Sequence, residues 1–310
     1  MRSVLAALFA AALTLAGASS AGEVRNAAGF PAKIVFVDVG QGDGVVMKIG
    51  GKIVVSDTGE YRLDVVQATL RTLKAKRIDV LILSHPHQDH VKNAIALLAG
   101  WDVDLAVLSR SHWWQGTDTN RELTAALKAE PGMETRYAHA GDKFDWGGAA
   151  WTFLNPRKGD RIGGSEEAAN VSLVYLLKVN GITALFTGDI ESDVAKRVAR
   201  IIDPVVHDRP VDIFLATHHG SKEGSIKELL DVIRPRWAVL STGPNGFGHP
   251  SREAIRRLHA EGASIWCTAA NGSITVRISA TGALSWRASR QPEPWWSAKA
   301  TKKTGSCVGR

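Results

Sequence analysis

Four residues of metal-binding type stand within six positions: His85, His87, Asp89 and His90, spaced H-x-H-x-D-H. Imidazole nitrogens and a carboxylate suit Zn²⁺, Mn²⁺ or Fe²⁺, and two groups of such ligands suit two metals. Two cations in one cage hold a hydroxide near neutral pH and clamp both oxygens of an in-line displacement. The plain alternative is a polar loop that contains histidines by chance. Against it stand further donors at plausible positions. Asp189 closes Thr187-Gly188-Asp189, and its carboxylate is able to bridge two cations. His218 and His219 lie in Thr217-His218-His219-Gly220-Ser221, and the loop at 159–169 runs into Asn170. Each fragment alone is a weak signal. Together with the six-residue cluster they make a full set of ligands.

The elements that must position these groups are legible as apolar runs. Residues 78–83 read as a buried strand that delivers the histidine cluster, and a helix begins at Asp89 and His90 and runs to Leu98. Strands at 183–186 and 211–216 precede Asp189 and the His218-His219 pair. Upstream, 33–39 reads as a strand, Gly40-Gln41-Gly42-Asp43-Gly44 as a tight turn, and 45–49 with 52–56 as a hairpin about Gly50-Gly51. Leu63, Val66, Leu70 and Leu73 recur at helical spacing, which predicts a helix over 63–74. Further strands are expected at 104–108, 151–154, 172–179 and 237–240. Helices are expected at 121–128, 193–202 and 252–260. A hairpin about Asn271-Gly272 is expected over 264–279. A β-rich half followed by helix, strand and helix, then a similar second half, predicts an α/β fold of two face-to-face sheets with helices outside, a four-layer αββα sandwich.

With 310 residues, 45% of them hydrophobic and 22% charged, the chain is long enough to bury a large core and ordinary for a globular protein. Residues 1–21 stand apart. Arg2, an apolar stretch from Val4 to Leu15 and the small residues Ser19-Ser20-Ala21 read as a secretory signal peptide, too short for a membrane span. The expected division is a signal peptide at 1–21, one folded domain carrying the donors at 22–286 and a basic tail at 287–310. This makes the protein periplasmic or secreted, with no transmembrane anchor after cleavage. The net charge of +7 sits mainly in the tail, where six lysines and arginines face only Glu293. With Trp295-Trp296 the tail is suited to nucleic-acid contact, although a solvated terminus explains it as simply. Cys267 and Cys307 fit no metal motif; pairing of the two and a buried free thiol at Cys267 are both open.

The combination of H-x-H-x-D-H, Gly-Asp after a strand and His after a strand resembles the metallo-β-lactamase superfamily. Within it the chain is most similar to ComEC-like competence proteins, whose extracellular hydrolase domain serves DNA uptake. The carrying motifs are Phe36-Val37-Asp38-Val39-Gly40-Gln41-Gly42-Asp43, Ser56-Asp57-Thr58-Gly59, Leu81-Ile82-Leu83-Ser84-His85-Pro86, Asn170-Val171-Ser172-Leu173-Val174, Thr187-Gly188-Asp189, His218-His219-Gly220-Ser221 and Gly248-His249-Pro250. They extend over roughly residues 33–280. The channel's membrane segments have no counterpart here, so the chain looks like a free-standing, exported relative.

The resemblance implies two divalent metal ions, Zn²⁺ favoured over Mn²⁺. His85 and His87 would hold the first metal, Asp89, His90 and His218 the second, and Asp189 would bridge. Asn170 stands where many members place a third histidine for the first metal and offers a weaker, neutral ligand. His87 stands where many ComEC-like sequences have Asp. Asp57 would orient a ligand imidazole or the histidine loop from behind, and His219 would stand behind His218 or ligate in its place. Asp89 and His249 are the catalytic candidates: His249, in a Gly-rich loop, is placed to bind a phosphoryl oxygen or to protonate a leaving group, and a structural loop histidine is the alternative. Trp113-Trp114 suit a substrate groove or the rim of an inserted segment. The implied function is a metal-dependent phosphodiesterase or nuclease that cuts DNA with a metal-bound hydroxide. The same chemistry would hydrolyse another ester, such as wall-polymer phosphorylcholine, a lactone or a β-lactam, and a non-catalytic module binding DNA or wall polymer is a third reading.

Overall fold

The structure is a computed structural model, and it describes residues 29–109, 116–160, 165–207 and 209–290. The signal-peptide reading, Trp113-Trp114, Trp295-Trp296, Cys307 and the tail beyond Arg290 lie outside the described residues. The strands are β1 (Ala32–Phe36), β2 (Gly44–Ile49), β3 (Lys52–Thr58), β4 (Val80–Leu83), β5 (Leu105–Leu108), β6 (Glu134–Tyr137), β7 (Lys143–Trp146), β8 (Ala149–Asn155), β9 (Val174–Val179), β10 (Ile182–Phe186), β11 (Ile213–Leu215), β12 (Trp237–Leu240), β13 (Ser264–Cys267), β14 (Ile274–Ile278) and β15 (Leu284–Ala288). They form two sheets, ordered β15-β14-β1-β2-β3-β4-β5-β6 and β13-β12-β11-β10-β9-β8-β7. In the first, β3 through β6 run parallel; in the second, β10 through β13 do.

The helices are α1 (Leu63–Thr72), α2 (Gln88–Leu98), α3 (Asp118–Ala129), α4 (Ser165–Asn170), α5 (Ser192–Val206), α6 (Lys227–Ile233), α7 (Arg252–Ala260) and α8 (Thr268–Asn271). Three apolar clusters define the layers. One joins the inner faces of the sheets and holds the fully buried Trp151, Tyr175, Phe36 and Phe153. A second lies between the first sheet and α1 to α3, through Val55, Val66, Leu70, Leu81 and Leu97. A third lies between the second sheet and α5 to α7, through Leu185, Val198, Phe214, Leu230 and Leu258. Helix, sheet, sheet and helix therefore stack as four layers, the αββα sandwich expected from the order of elements. β4 is buried at every position because helices cover one face and the partner sheet the other, which is why its sequence is a continuous apolar run.

Residues 264–279 are not a hairpin. β13 pairs with β12 in the second sheet, while β14 pairs with β1 in the first. The short α8 carries the chain across the end of the sandwich, and Gly272 at its end has φ +67. An Asn-Gly pair between two apolar runs signals a reversal, and a crossing between sheets uses the same residues. The loop expected at 159–169 contains α4. β6, β7, α6 and β15 are not among the elements expected from the sequence; all four residues of β6 are exposed on a sheet edge. β15 extends the first sheet through Arg287 and Ala288, and Arg290 donates to Asp38 Oδ2 at 2.9 Å. Buried Cys267 is no free thiol. Among the described residues no helix is long and apolar enough to cross a membrane.

Candidate metal centre

Most predicted donors follow the carboxyl ends of strands, and Asn170 instead ends α4. Asp57 is the next-to-last residue of β3, β4 leads into Ser84 and His85, β10 into Asp189 and β11 into His218 and His219. Because β3 and β4, and likewise β10 and β11, run parallel, their ends converge on one edge of the sandwich. His87 is the residue before α2, and Asp89 lies in the first turn of that helix, where the helix dipole favours a carboxylate.

Asp189 stands at the centre and is 2% exposed. Its Oδ1 is 3.2 Å from His90 Nε2, and its Oδ2 is 3.6 Å from the Nε2 atoms of His85, His218 and His219. Two donor clusters share it. His85, His87 and Asp189 form one; Asp43, His90, Asp189 and His219 form the other, with each set's donor atoms inside 4.8 Å of one another. Asp89 Oδ2 joins the second from 3.3 Å off His219 Nε2.

His218 and His219 divide differently from the sequence expectation. The imidazole beside Asp89 and His90 belongs to His219, whose Nε2 is 3.3 Å from His90 Nε2. His218 lies on the other side of Asp189, one quarter exposed, with Nδ1 3.4 Å from Glu191 Oε1. Both residues have left-handed backbone angles, φ 50 and φ 54. Two consecutive left-handed residues turn the second ring inward, which counting from the strand end does not reveal. Asn170 is also engaged differently: its Oδ1 accepts the backbone N–H of Glu191 at 2.9 Å, and so serves the start of α5.

Behind the cluster, Asp57 is buried and receives three groups. Ser84 N–H donates to it at 2.8 Å, Ser84 Oγ at 2.7 Å, and His90 Nδ1 lies 2.9 Å from Oδ2. Asp43 holds a similar relation to His219, with Oδ1 3.3 Å from Nδ1. The sequence places Asp43 only in the tight turn Gly40–Gly44 and does not reveal this contact. Gly42 brings that loop in: its φ is +120, and Asp43 N–H donates to the Asp89 carbonyl at 3.1 Å.

The electrostatics favour positive charge at the centre. Burial opposes ionisation of Asp189, but the surrounding His90, His219, His218 and His85 hold it well below the usual carboxylate range. Burial likewise opposes ionisation of Asp89, yet its hydrogen bond to His219 and the nearby His90 bring it down to about 2. His90 and His219 are raised well above ordinary imidazoles despite burial, chiefly by the Asp189 carboxylate. His85 is lowered, first by burial and then by His90. Burial raises Asp57 against the pull of His90. His85 Nε2 and Asp189 Oδ1 are buried without a hydrogen-bond partner, as are Asp43 Oδ1 and His219 Nδ1. Uncompensated buried donors and acceptors are costly. This set of imidazole and carboxylate atoms fits transition-metal cations.

The centre floors an open cleft of about 660 Å³ lined by Gln41, Tyr61, His87, Asp89, Asp189, His218, Asn245, Phe247 and His249 among others. His249, partly buried beside His218 at 5.1 Å between ring centres, is lowered to about 4 by burial and by His218 and His219. It is neutral at neutral pH, so it enters as a hydrogen-bonding imidazole rather than a cationic acid.

Residues 37–243 match the metallo-β-lactamase superfamily, and the chain belongs to that superfamily. It is 27% identical over 203 residues to ComE operon protein 3 of Bacillus subtilis, covering 65% of this chain and 25% of that one. It is 26% identical over 267 residues to Recombination protein 2 of Haemophilus influenzae, covering 84% and 30%. The chain thus spans about a quarter to a third of the length of these relatives. Among solved structures, the metallo-β-lactamase fold protein YhfI from Bacillus subtilis aligns with a TM-score of 0.53 at 14% identity, covering 83% of this chain and all of YhfI. That likeness shows the fold alone.

Proposed function

We propose that this protein is an exported, metal-dependent phosphodiesterase acting on DNA. The observation that carries the reading is the placement of Asp189, buried between two donor clusters at the floor of an open cleft. His85, His87 and Asp189 would hold one divalent cation; Asp89, His90, His219 and Asp189 would hold the other. Zinc is favoured by the imidazole-rich set, with manganese as the alternative. When bound, two such ions supply Lewis acidity and a water acidified toward neutral pH. The chain's residues do the rest. Asp57 holds His90 in the tautomer that leaves Nε2 bare for the metal, and the Asp43 carboxylate lies 3.3 Å from Nδ1 of His219 on the corresponding side. His249, on the cleft wall, offers a hydrogen bond to a departing oxygen.

DNA is the favoured substrate because two relatives are named for recombination and competence: Recombination protein 2, and Competence protein ComA of Neisseria gonorrhoeae, 23% identical over 260 residues that cover 83% of this chain and 34% of that one. The export part of the reading rests on the sequence pattern of residues 1–21. The test is a substrate panel offered to the zinc- or manganese-loaded protein: DNA, a phosphorylcholine diester, a lactone and a β-lactam. DNA cleavage with little turnover of the others supports the reading. Turnover of the β-lactam or lactone without phosphodiester cleavage overturns it.

A further inference from the structure

Among the described residues four large hydrophobic side chains are exposed: Tyr61, Tyr137, Val205 and Phe247. Two of the four, Tyr61 and Phe247, line the cleft of the metal centre, at 55% and 76% exposure. Isolated exposed rings are common and mean little. A pair on one cleft, arriving from opposite halves of the chain, is a different matter. Tyr61 follows β3, and Phe247 lies in the loop after β12. Gly243 brings the two loops together, since a Cβ there would lie 2.5 Å from the Gly40 carbonyl carbon. Gly40 in turn sits under the Tyr61 ring, its added Cβ 3.5 Å from Cδ2.

Both rings are mounted on fixed backbone. Asn93 Nδ2 donates to the Tyr61 carbonyl at 2.9 Å. Asn245 ties the Phe247 loop from both ends. Its Oδ1 accepts from Phe247 N–H at 3.0 Å and His249 N–H at 3.1 Å, while its Nδ2 donates to the Gly243 carbonyl at 2.9 Å and the His249 carbonyl at 2.7 Å. Rings held out on ordered loops lose little freedom when a ligand stacks on them. Among the described residues the cleft lining contains no lysine or arginine. Beyond the scissile phosphate, the described lining offers exposed rings rather than a cationic track.

We propose that Tyr61 and Phe247 form a stacking site for an unpaired nucleobase next to the scissile phosphodiester, so that the enzyme prefers single-stranded DNA or frayed ends over intact duplex. Bases within a duplex are already stacked on each other and present only their edges; an unpaired base offers both faces to aromatic rings. The inference rests on the phosphodiesterase reading and names the substrate form of that same site.

The test reads binding and turnover separately. Affinity of the metal-loaded protein for a phosphorothioate-linked single strand is measured by fluorescence anisotropy, for wild type, Phe247→Ala, Tyr61→Ala and Phe247→Trp. The site predicts about tenfold weaker binding for each alanine variant and recovery in Phe247→Trp. It also predicts that wild type favours a base-bearing over an abasic oligonucleotide, and that this preference shrinks in the alanine variants. Both side chains are mostly exposed, so truncation leaves the fold intact. If wild type cleaves DNA but the variants bind and discriminate as it does, the stacking site is wrong and the phosphodiesterase reading stands. If wild type cleaves no phosphodiester but the variants lose affinity as predicted, the site stands as a binding site and the catalytic reading falls. Displacement by phosphorylcholine but not by a mononucleotide would overturn the nucleobase assignment.

Discussion

Asp57 Oδ2 lies 2.9 Å from Nδ1 of His90, and the same carboxylate takes both the backbone and the hydroxyl donor of Ser84. One buried side chain at the end of β3 thus fixes the ring at the start of α2 and the residue that leads β4 into the histidine cluster. Removing its charge while keeping its shape isolates this role. Asp57→Asn is expected to lower metal affinity or turnover by about 10- to 100-fold, with the larger loss at the cation held by His90. Metal titration of the stripped variant checks it, and wild-type affinity at both sites would refute the orienting role.

The two adjacent histidines give a second prediction. His219 is buried against His90 and Asp89, whereas His218 faces Asp189 from the cleft and reaches Glu191. His219→Ala is expected to bind one divalent cation fewer per chain. His218→Ala is expected to retain the second cation and to lose turnover instead. Metal content by elemental analysis after dialysis separates the two. The reverse pattern would restore the order expected from the sequence.

Gly42 tests the first loop without touching a ligand. A Cβ there would lie 1.9 Å from the Asp89 carbonyl oxygen, and the φ of +120 is strained for any L side chain. Gly42→Ala is expected to push the loop off α2, break the Asp43 to Asp89 backbone hydrogen bond and displace both Asp43 and Asp89. Retention of both metals with wild-type turnover would show that the loop does not position the site.

Metal uptake is expected to release protons. In the metal-free protein His90 and His219 have raised affinity for protons because of Asp189, so both are charged near neutral pH. A bound cation needs their neutral forms. The sign follows: affinity rises with pH until both rings are neutral without metal, and falls as pH drops. Calorimetric titration in buffers of different ionisation enthalpy counts the protons. Binding with no proton release near pH 7 would contradict this charge state.

Much of this site is legible in the sequence, for a local reason. His85, His87, Asp89 and His90 fall within one strand-to-helix turn, and Asp57, Asp189 and the His218-His219 pair each follow a short apolar run, so a buried-strand reading delivers them to one edge. What the sequence hides depends on backbone turns and on distant contacts. The inward ring is His219 because of two left-handed residues, Asn170 is claimed by the N–H of Glu191, and Asp43 reaches His219 across 176 positions of chain. The crossing from β13 to β14 is invisible for the same reason: Asn271-Gly272 suits a reversal and a crossing equally, and only the pairing of β14 with β1 decides.

The central claim is that the Asp189 cluster carries metal-dependent phosphodiester cleavage. The most direct measurement is cleavage of single- and double-stranded DNA by metal-stripped protein reconstituted with Zn²⁺ or Mn²⁺, beside an Asp189→Ala variant treated in the same way. The account predicts cutting that requires metal, favours the single strand and is absent from Asp189→Ala. DNA cleavage that persists in the variant, or no cleavage by wild type with both sites loaded, would contradict it.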